Sequence, residues 1–284
     1  MSDARVAVVT DSTSYLPAEL VRERGITVVP LQVVIAGTSY DEGAEASSGT
    51  VAEALRTRQP VTTSRPGPAA FAAAYARAAE AGSTGVVSVH LSAQMSGTVE
   101  SARLAAKDSP VPVEVVDSES LGMGLGYAVL SAAAVAAAGG SIDEVAEAAR
   151  KRAAASHSVF YVDTLEHLRR GGRIGAASAL VGSALAIKPL LRLDDGRIVP
   201  LENVRTSARG IARLEEIAVG LAVPGRRVDV AVHHLDSADR AAGLAERIAQ
   251  RLPDLRELVV AEVGAVVGAH VGPGMLAVVL APVD

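Results

Sequence analysis

The fold class predicted by this sequence is α/β, with two domains: an N-terminal doubly wound parallel sheet and a smaller C-terminal α/β domain. Three observations carry it. Short valine-rich runs alternate with helical patterns, as in a parallel sheet covered by helices. At 284 residues the chain is long enough for two ordinary domains, each with its own core. Hydrophobic residues make up 49% of it but aromatic residues only 2%, so those cores are built from Val, Leu, Ile and Ala.

Taken in order, Arg5–Val9, Thr27–Ile35, Val86–Leu91 and Val113–Val116 read as strands. Between them, Thr50–Arg58 opens with Thr50 and Glu53 at capping-box spacing, and Ala69–Ala81 follows a proline pair. A helix from Ser96 or Gly97 to Lys107 comes next, then a buried one over Leu125–Ala138, and Ser141 and Glu144 cap a helix over Val145–Ala155. The first domain is expected over residues 1–157 and the second over 158–284, with ligand between or beside them. In the second, VFYVDTL is a strand leading to the charged helix LEHLRRGG, and Ala176–Ile187 is helical. Pro189–Leu193 and Arg197–Asn203 flank Asp194-Asp195-Gly196 as a hairpin. Ser207–Leu221 and Ala238–Leu252 are helices, and Val228–His233, Leu258–Glu262 and Met275–Leu280 are strands.

Composition excludes several functions. The net charge is −5, with only Lys107, Lys151 and Lys188 as lysines and no basic block, so nucleic acid is not an expected partner. No cysteine is present, which removes disulfides, thiolate chemistry and cysteine metal sites. Two uncharged stretches, Ser120–Ile142 and Val263–Val283, approach membrane-spanning length, but glycines interrupt the first and His270 and Pro273 the second. They read as buried core. The start, MSDARVAVVTDS, lacks the charged-then-apolar pattern of a signal peptide, so a cytoplasmic protein is expected. Asp41, Glu42 and Glu45 sit in a small-residue loop without histidine, and His233 and His234 point to opposite faces of a strand; no metal is implied. A Walker loop and a nucleophile elbow are both missing.

The chemistry-bearing segments are few. VVGAHVGPGMLAVVL, from Val266 to Leu280, sets His270 in a glycine-rich turn between apolar segments. Thr62, Thr63 and Ser64 precede Pro66 and Pro68, and Ser92 and Ser96-Gly97-Thr98 lie where a strand passes into a helix. A helix start turns unpaired N–H groups toward an anionic oxygen. The plainer alternative at each place is local: hydroxyls that cap helices, and an imidazole satisfied within its turn. Asp11 likewise reads as a turn or N-cap residue, and Arg169 and Arg170 as a solvated helix end.

Taken together and in order, VTDST, TTSRPGPAAF, HLSAQMSGTVESA, DSESLGMGLG, LRRGGRIG and GAHVGPG resemble the DegV family, bacterial fatty-acid-binding proteins that serve a fatty acid kinase as acyl carriers. The resemblance spans essentially the whole chain. It departs at Arg65, where the family usually has an uncharged polar residue, and at Ala93, often a second serine. The resemblance implies that Thr63, Ser96, Gly97 and His270 hold a fatty acid carboxylate, with Thr62, Ser64 and Ser92 as neighbours, and that Arg173 and Arg205 dock a kinase partner or neutralise phosphate. It further implies that this chain turns nothing over itself, that ATP and magnesium belong to the partner kinase subunit, and that the acyl phosphate is held after transfer.

Physically, hydroxyls, amides and an imidazole satisfy a buried carboxylate while leaving one oxygen able to attack; a strong lysine or arginine pair would quench it. A long-chain tail would lie against aliphatic residues such as Leu121, Met123, Ile187 and Leu190, with transient membrane-surface contact for lipid exchange. Two other readings stay open: an autonomous hydrolase or transferase with Ser96 as nucleophile and His270 as base, and a lipid sensor.

Overall fold

In the computed structural model, which describes residues 5–180 and 187–283, Val6–Asp11 forms β1 and Ala18–Glu23 forms α1. The expected strand Thr27–Ile35 is two: β2, Thr27–Val29, and β3, Gln32–Ile35. Pro30 has no N–H for a ladder, and the Leu31 amide donates to Ser12 Oγ at 3.0 Å, so pairing stops there. Then come β4 (Thr38–Asp41), α2 (Ser48–Arg56) and β5 (Val61–Ser64). The expected Thr50–Glu53 box is not the cap of α2. Ser47 caps it instead, accepting from the Thr50 amide at 3.2 Å. Thr62, Thr63 and Ser64 are strand residues rather than helix caps.

The chain continues through α3 (Pro68–Glu80), β6 (Gly85–His90), α4 (Thr98–Ala106), β7 (Val113–Asp117), α5 (Met123–Ala137) and α6 (Ile142–Ala155). The capping box ahead of α6 forms as read: the Ser141 amide donates to Glu144 Oε2 at 2.8 Å and the Glu144 amide to Ser141 Oγ at 3.3 Å. Next are β8 (His157–Tyr161), α7 (Glu166–Arg170), β9 (Lys188–Asp194), β10 (Arg197–Val204), α8 (Ser207–Leu221), β11 (Val228–His234), α9 (Ala238–Arg251), β12 (Leu255–Glu262), α10 (Ala265–Val271) and β13 (Leu276–Pro282).

Two expectations in this part need correction, and one stands. Ala176–Ile187 is not an α-helix where described: Gly175–Leu180 is a 3-10 turn, and Lys188, held extended by Pro189, already belongs to β9. The rest of that expected helix, 181–186, lies outside the described residues. His270 sits in the last turn of α10 rather than in a loop, with Gly272 ending the helix at φ 75°. The β9–β10 hairpin turns as read, with positive φ at Asp195 and Gly196.

Two compact units emerge: Met1–Gln32 with Ser64–Ala155, and Val33–Thr63 with Ser156–Asp284. The expected division at 157/158 therefore falls close to one of three crossings, and residues 33–63 cluster with the second unit, making it the larger. The reason is apolar. Val33 and Ile35 of β3 and Val51 and Ala54 of α2 are buried with Ala265 and Ala269 of α10.

The first unit holds a parallel sheet of order β2-β1-β6-β7, with Val6 opposite Gly85 and Val86 opposite Val113. Phe71, Ala74 and Tyr75 of α3 pack with Ala102 and Ala105 of α4 against Val9, Val29 and Val86. Apolar around most of its circumference, α5 is buried accordingly. A Cβ on its Gly126 would come 2.8 Å from Ser14 O, so only glycine lets the helix approach the turn after β1. The second unit is built on a six-stranded mixed sheet, β10-β9-β8-β13-β11-β12, with a three-stranded β4-β3-β5 sheet beside it. None of the described helices is long and apolar enough to cross a membrane.

Candidate functional site

In the second unit Thr63 and His270 meet. Thr63 Oγ1 lies 2.8 Å from His270 Nε2. Alternation along β5 puts Thr63 on the more buried face and Thr62 and Ser64 on the exposed one, so only the middle hydroxyl of the three is presented to the imidazole. The helix carrying His270 is pinned at its start, where the Val266 amide donates to the buried Glu42 carboxylate at 2.7 Å. That gives Glu42 a capping role. Gly268 brings α10 against Leu235 and Val51, with a hypothetical Cβ only 3.3 Å from Leu235.

The other ring nitrogen faces Gly171. A Cβ there would come 2.7 Å from His270 Cε1 and closer still to Nδ1. Nδ1 is buried and has no hydrogen-bond partner among the described residues. An unpaired N–H would cost more there than an unpaired lone pair, so the proton belongs on Nε2, which donates to Thr63 Oγ1. The Thr63 hydroxyl hydrogen is thereby left to point at a third group, which an anionic oxygen would satisfy. Burial, with help from the Arg173 charge, pushes the His270 pKa down to about 4, so the ring is neutral at physiological pH. Arg173 itself donates to Gly171 O at 2.6 Å.

In the first unit Ser96 and Gly97 open α4. Ser96 Oγ shares a hydrogen with Thr98 Oγ1 at 2.8 Å, and Gly97 is the N-cap residue with no side chain to offer. The Arg65 guanidinium lies on the face of Gly97 where a side chain would be: a Cβ there would sit 2.8 Å from Arg65 Cζ. Arg65 also stands 3.6 Å from Glu100. A cation at the start of α4 was not part of the sequence expectation. Ser92, by contrast, has the local role: its hydroxyl accepts from the Gln94 amide at 3.1 Å within the turn.

Sequence reading missed one further cluster. Tyr75 donates to Ser88 Oγ at 2.9 Å, Ser88 lies 2.7 Å from His90 Nε2, and His90 Nδ1 lies 3.0 Å from Asp11 Oδ2. Asp11 also accepts from the Thr13 and Leu91 amides and the Thr13 hydroxyl, and caps the 3-10 turn Ser12–Ser14 as expected. Its order resembles a Ser-His-Asp triad, yet Ser88, His90 and Asp11 are all 0% exposed, so no substrate reaches the serine. The signal lay in the period-2 spacing of Ser88 and His90 along β6, which places both on one face.

Among the arginines, Arg169 and Arg170 pair with Glu166, the solvated reading, and hold its pKa down at about 2. Arg205 is exposed. Met123 is buried in α5 and Leu190 belongs to the packed core of the second unit. A cavity of about 670 Å³ in that unit is lined by Asp163, His234, Asp236, Arg240 and Glu262 among others, too polar for an alkyl tail.

Comparison with known proteins gives a consistent picture. A family model described as "Uncharacterised protein, DegV family" matches residues 5–283. The DegV domain-containing protein SCO2569 of Streptomyces coelicolor is 58% identical over 275 residues, covering 97% of this chain and 98% of its own. A DegV domain-containing protein of Deinococcus radiodurans is 40% identical over 282 residues, covering 98% and 99%. Among solved structures, one described as fatty acid binding of a DegV family protein from Thermus thermophilus superposes with a TM-score of 0.92 at 34% identity, over 98% of this chain and 100% of that one. DegV from Bacillus subtilis, described as a fatty acid binding protein, gives 0.91 at 33%, over 99% and 100%. With its parallel sheet, glycine-framed His270 and near-complete coverage by these relatives, this chain belongs to the DegV family.

Proposed function

We propose that this protein binds a long-chain fatty acid with its tail buried and presents the carboxylate to a separate ATP-dependent kinase, then holds the acyl phosphate. The observation that carries the reading is the Thr63–His270 pair: a neutral imidazole that fixes a hydroxyl as donor. Ser96 and Gly97, at the start of α4, are the other carboxylate-binding residues we propose, with Thr62, Ser64 and Ser92 as neighbours. The relatives described as fatty-acid-binding support the ligand class. The tail supplies the affinity. At ~0.8 kcal/mol per buried methylene, a chain of roughly sixteen carbons gives on the order of 12 kcal/mol gross, from which ordering and association costs are subtracted.

In this reading the protein is a substrate-carrying subunit of the cytoplasm and leaves ATP and magnesium to its partner. Arg173 and Arg205 serve the partner or the phosphate. Autonomous hydrolysis fits less well, because the bonded nitrogen of His270 is engaged by Thr63, and Ser96 is engaged by Thr98. Organic extraction of the purified protein followed by mass spectrometry tests the binding. Near-stoichiometric long-chain fatty acid, converted to acyl phosphate only when a fatty acid kinase and ATP are added, is the expected result. Lipid-free protein that cannot be loaded with fatty acid, or that cleaves esters unaided, would sink it.

A further inference from the structure

The start of α4 carries a guanidinium with no strong partner. Arg65 precedes Pro66, a position held to extended backbone, so the direction of its side chain is set locally. That direction takes it onto Gly97. An ideal Cβ at Gly97 would lie 2.8 Å from Arg65 Cζ and 2.9 Å from Cδ, so the guanidinium occupies space that only a glycine leaves open. Beside it are the hydroxyls of Ser96 and Thr98 and the first amides of α4. Its one charged neighbour among the described residues makes only a long, exposed ion pair. Glu100 Oε2 stands 3.6 Å from Nη1, beyond hydrogen-bond reach, and the two side chains are 53% and 83% exposed. Such a pair is screened and weak. Arg65 makes no hydrogen bond among the described residues, so its fork of donors is unspent.

Resting on the fatty-acid reading, we propose that Arg65 is the cationic anchor and anion-specificity residue for the ligand's head group, with Glu100 as the counter-ion that the head group displaces. The fork matches the two oxygens of a carboxylate and, better, the oxygens of a phosphate, which carries more charge. Half-exposed to water, it attenuates the nucleophilicity of a carboxylate far less than a buried ion pair would. Its larger gain comes after transfer, when the head group has become a phosphate. Arg65 thus biases the protein toward retaining the phosphorylated product.

The test uses the full chain and three probes of one tail length: a fatty acid, the corresponding fatty alcohol, and an alkyl phosphate monoester as a stable mimic of the acyl phosphate. Arg65→Gln should weaken the fatty acid about fivefold and the alkyl phosphate about tenfold or more, and leave the alcohol within about twofold. Arg65→Lys should fall between, since it keeps charge but loses the fork. Glu100→Gln should tighten both anions by roughly twofold, and added salt should narrow every difference. Equal losses for acid and alcohol, or unchanged affinity for both anions, would overturn the role of Arg65 while leaving fatty acid binding intact. A parent protein that binds none of the three probes overturns the fatty-acid reading itself, and the anchor with it.

Discussion

The chemistry of the site reduces to where two protons sit. Because His270 Nδ1 abuts Gly171 and Nε2 abuts Thr63, the imidazole acts as a fixed donor and the threonine hydroxyl passes that polarity to whatever lies beyond. Thr63→Ala and Ser96→Ala should therefore each weaken fatty acid binding by about 1 to 3 kcal/mol, with fatty alcohols less affected. Calorimetry showing parent-like affinity for the acid in both variants would place the carboxylate elsewhere. His270→Asn keeps a hydrogen bond but has no ring nitrogen to titrate, so it should retain lipid and lower phosphorylation only modestly. Abolished phosphorylation with lipid still bound would instead give the imidazole a proton-transfer role.

Among elements, α7 and α10 are fitted to each other through glycine. Gly171 has ordinary helical φ, so Gly171→Ala is a purely steric test: the new methyl meets the His270 ring, which Thr63 holds from its other side. The expected result is a loss of about 1 to 3 kcal/mol in stability together with weaker fatty acid binding. Gly220 in α8 is exposed, and no atom lies within 4 Å of the place its Cβ would take, so there alanine should stabilise by about 0.5 to 1 kcal/mol without touching binding. Denaturant unfolding of the two variants separates the cases, and a Gly171→Ala protein that unfolds and binds like its parent removes the contact. Elements of this kind were legible where local chemistry decides them: the Ser141–Glu144 box, the β9–β10 turn and the parallel strands β1, β6 and β7 stand as read. They were not legible where distant partners decide. The short β4 and the helical setting of His270 depend on packing among β3, α2 and α10, residues far apart in sequence, and the break at Pro30 is completed by the bond from Leu31 to Ser12. Thr63 and His270 could be named from motifs, but their direct bond could not. The Asp11–His90 cluster escaped because nothing near either residue indicates that β1 and β6 bring them together.

For the whole molecule, His233 and His270 make stability fall in acid. Burial pushes the pKa values of both His233 and His270 down to about 4, against 6.5 for an ordinary histidine. The unfolded chain then binds more protons than the folded one between those values. Stability is present above pH 6.5 and is lost as pH falls toward 4, with His233 contributing on the order of 3 kcal/mol. Thermal unfolding from about pH 7.5 to about pH 4.5 should show this decline, and a His233→Gln variant should show a shallower one; identical slopes would exclude His233 as a source. In the proposed function a second protein, the kinase, takes part, and Arg205 is where we propose that the two meet. It is exposed and directly precedes Thr206, which caps α8 by accepting from the Arg209 amide at 3.3 Å. The cap belongs to Thr206, so Arg205 is not needed to start the helix, and removing it should change stability by well under about 1 kcal/mol. If its fork meets an acidic patch or phosphate oxygen of the kinase, Arg205→Ala should carry fatty acid with parent affinity while phosphorylation by the kinase falls at least about tenfold. Lysine at 205 should restore only part of that, because it supplies the charge without the planar fork. Phosphorylation of the alanine variant at the parent rate across all carrier concentrations would leave Arg205 a solvated surface charge and move the docking surface elsewhere on the molecule.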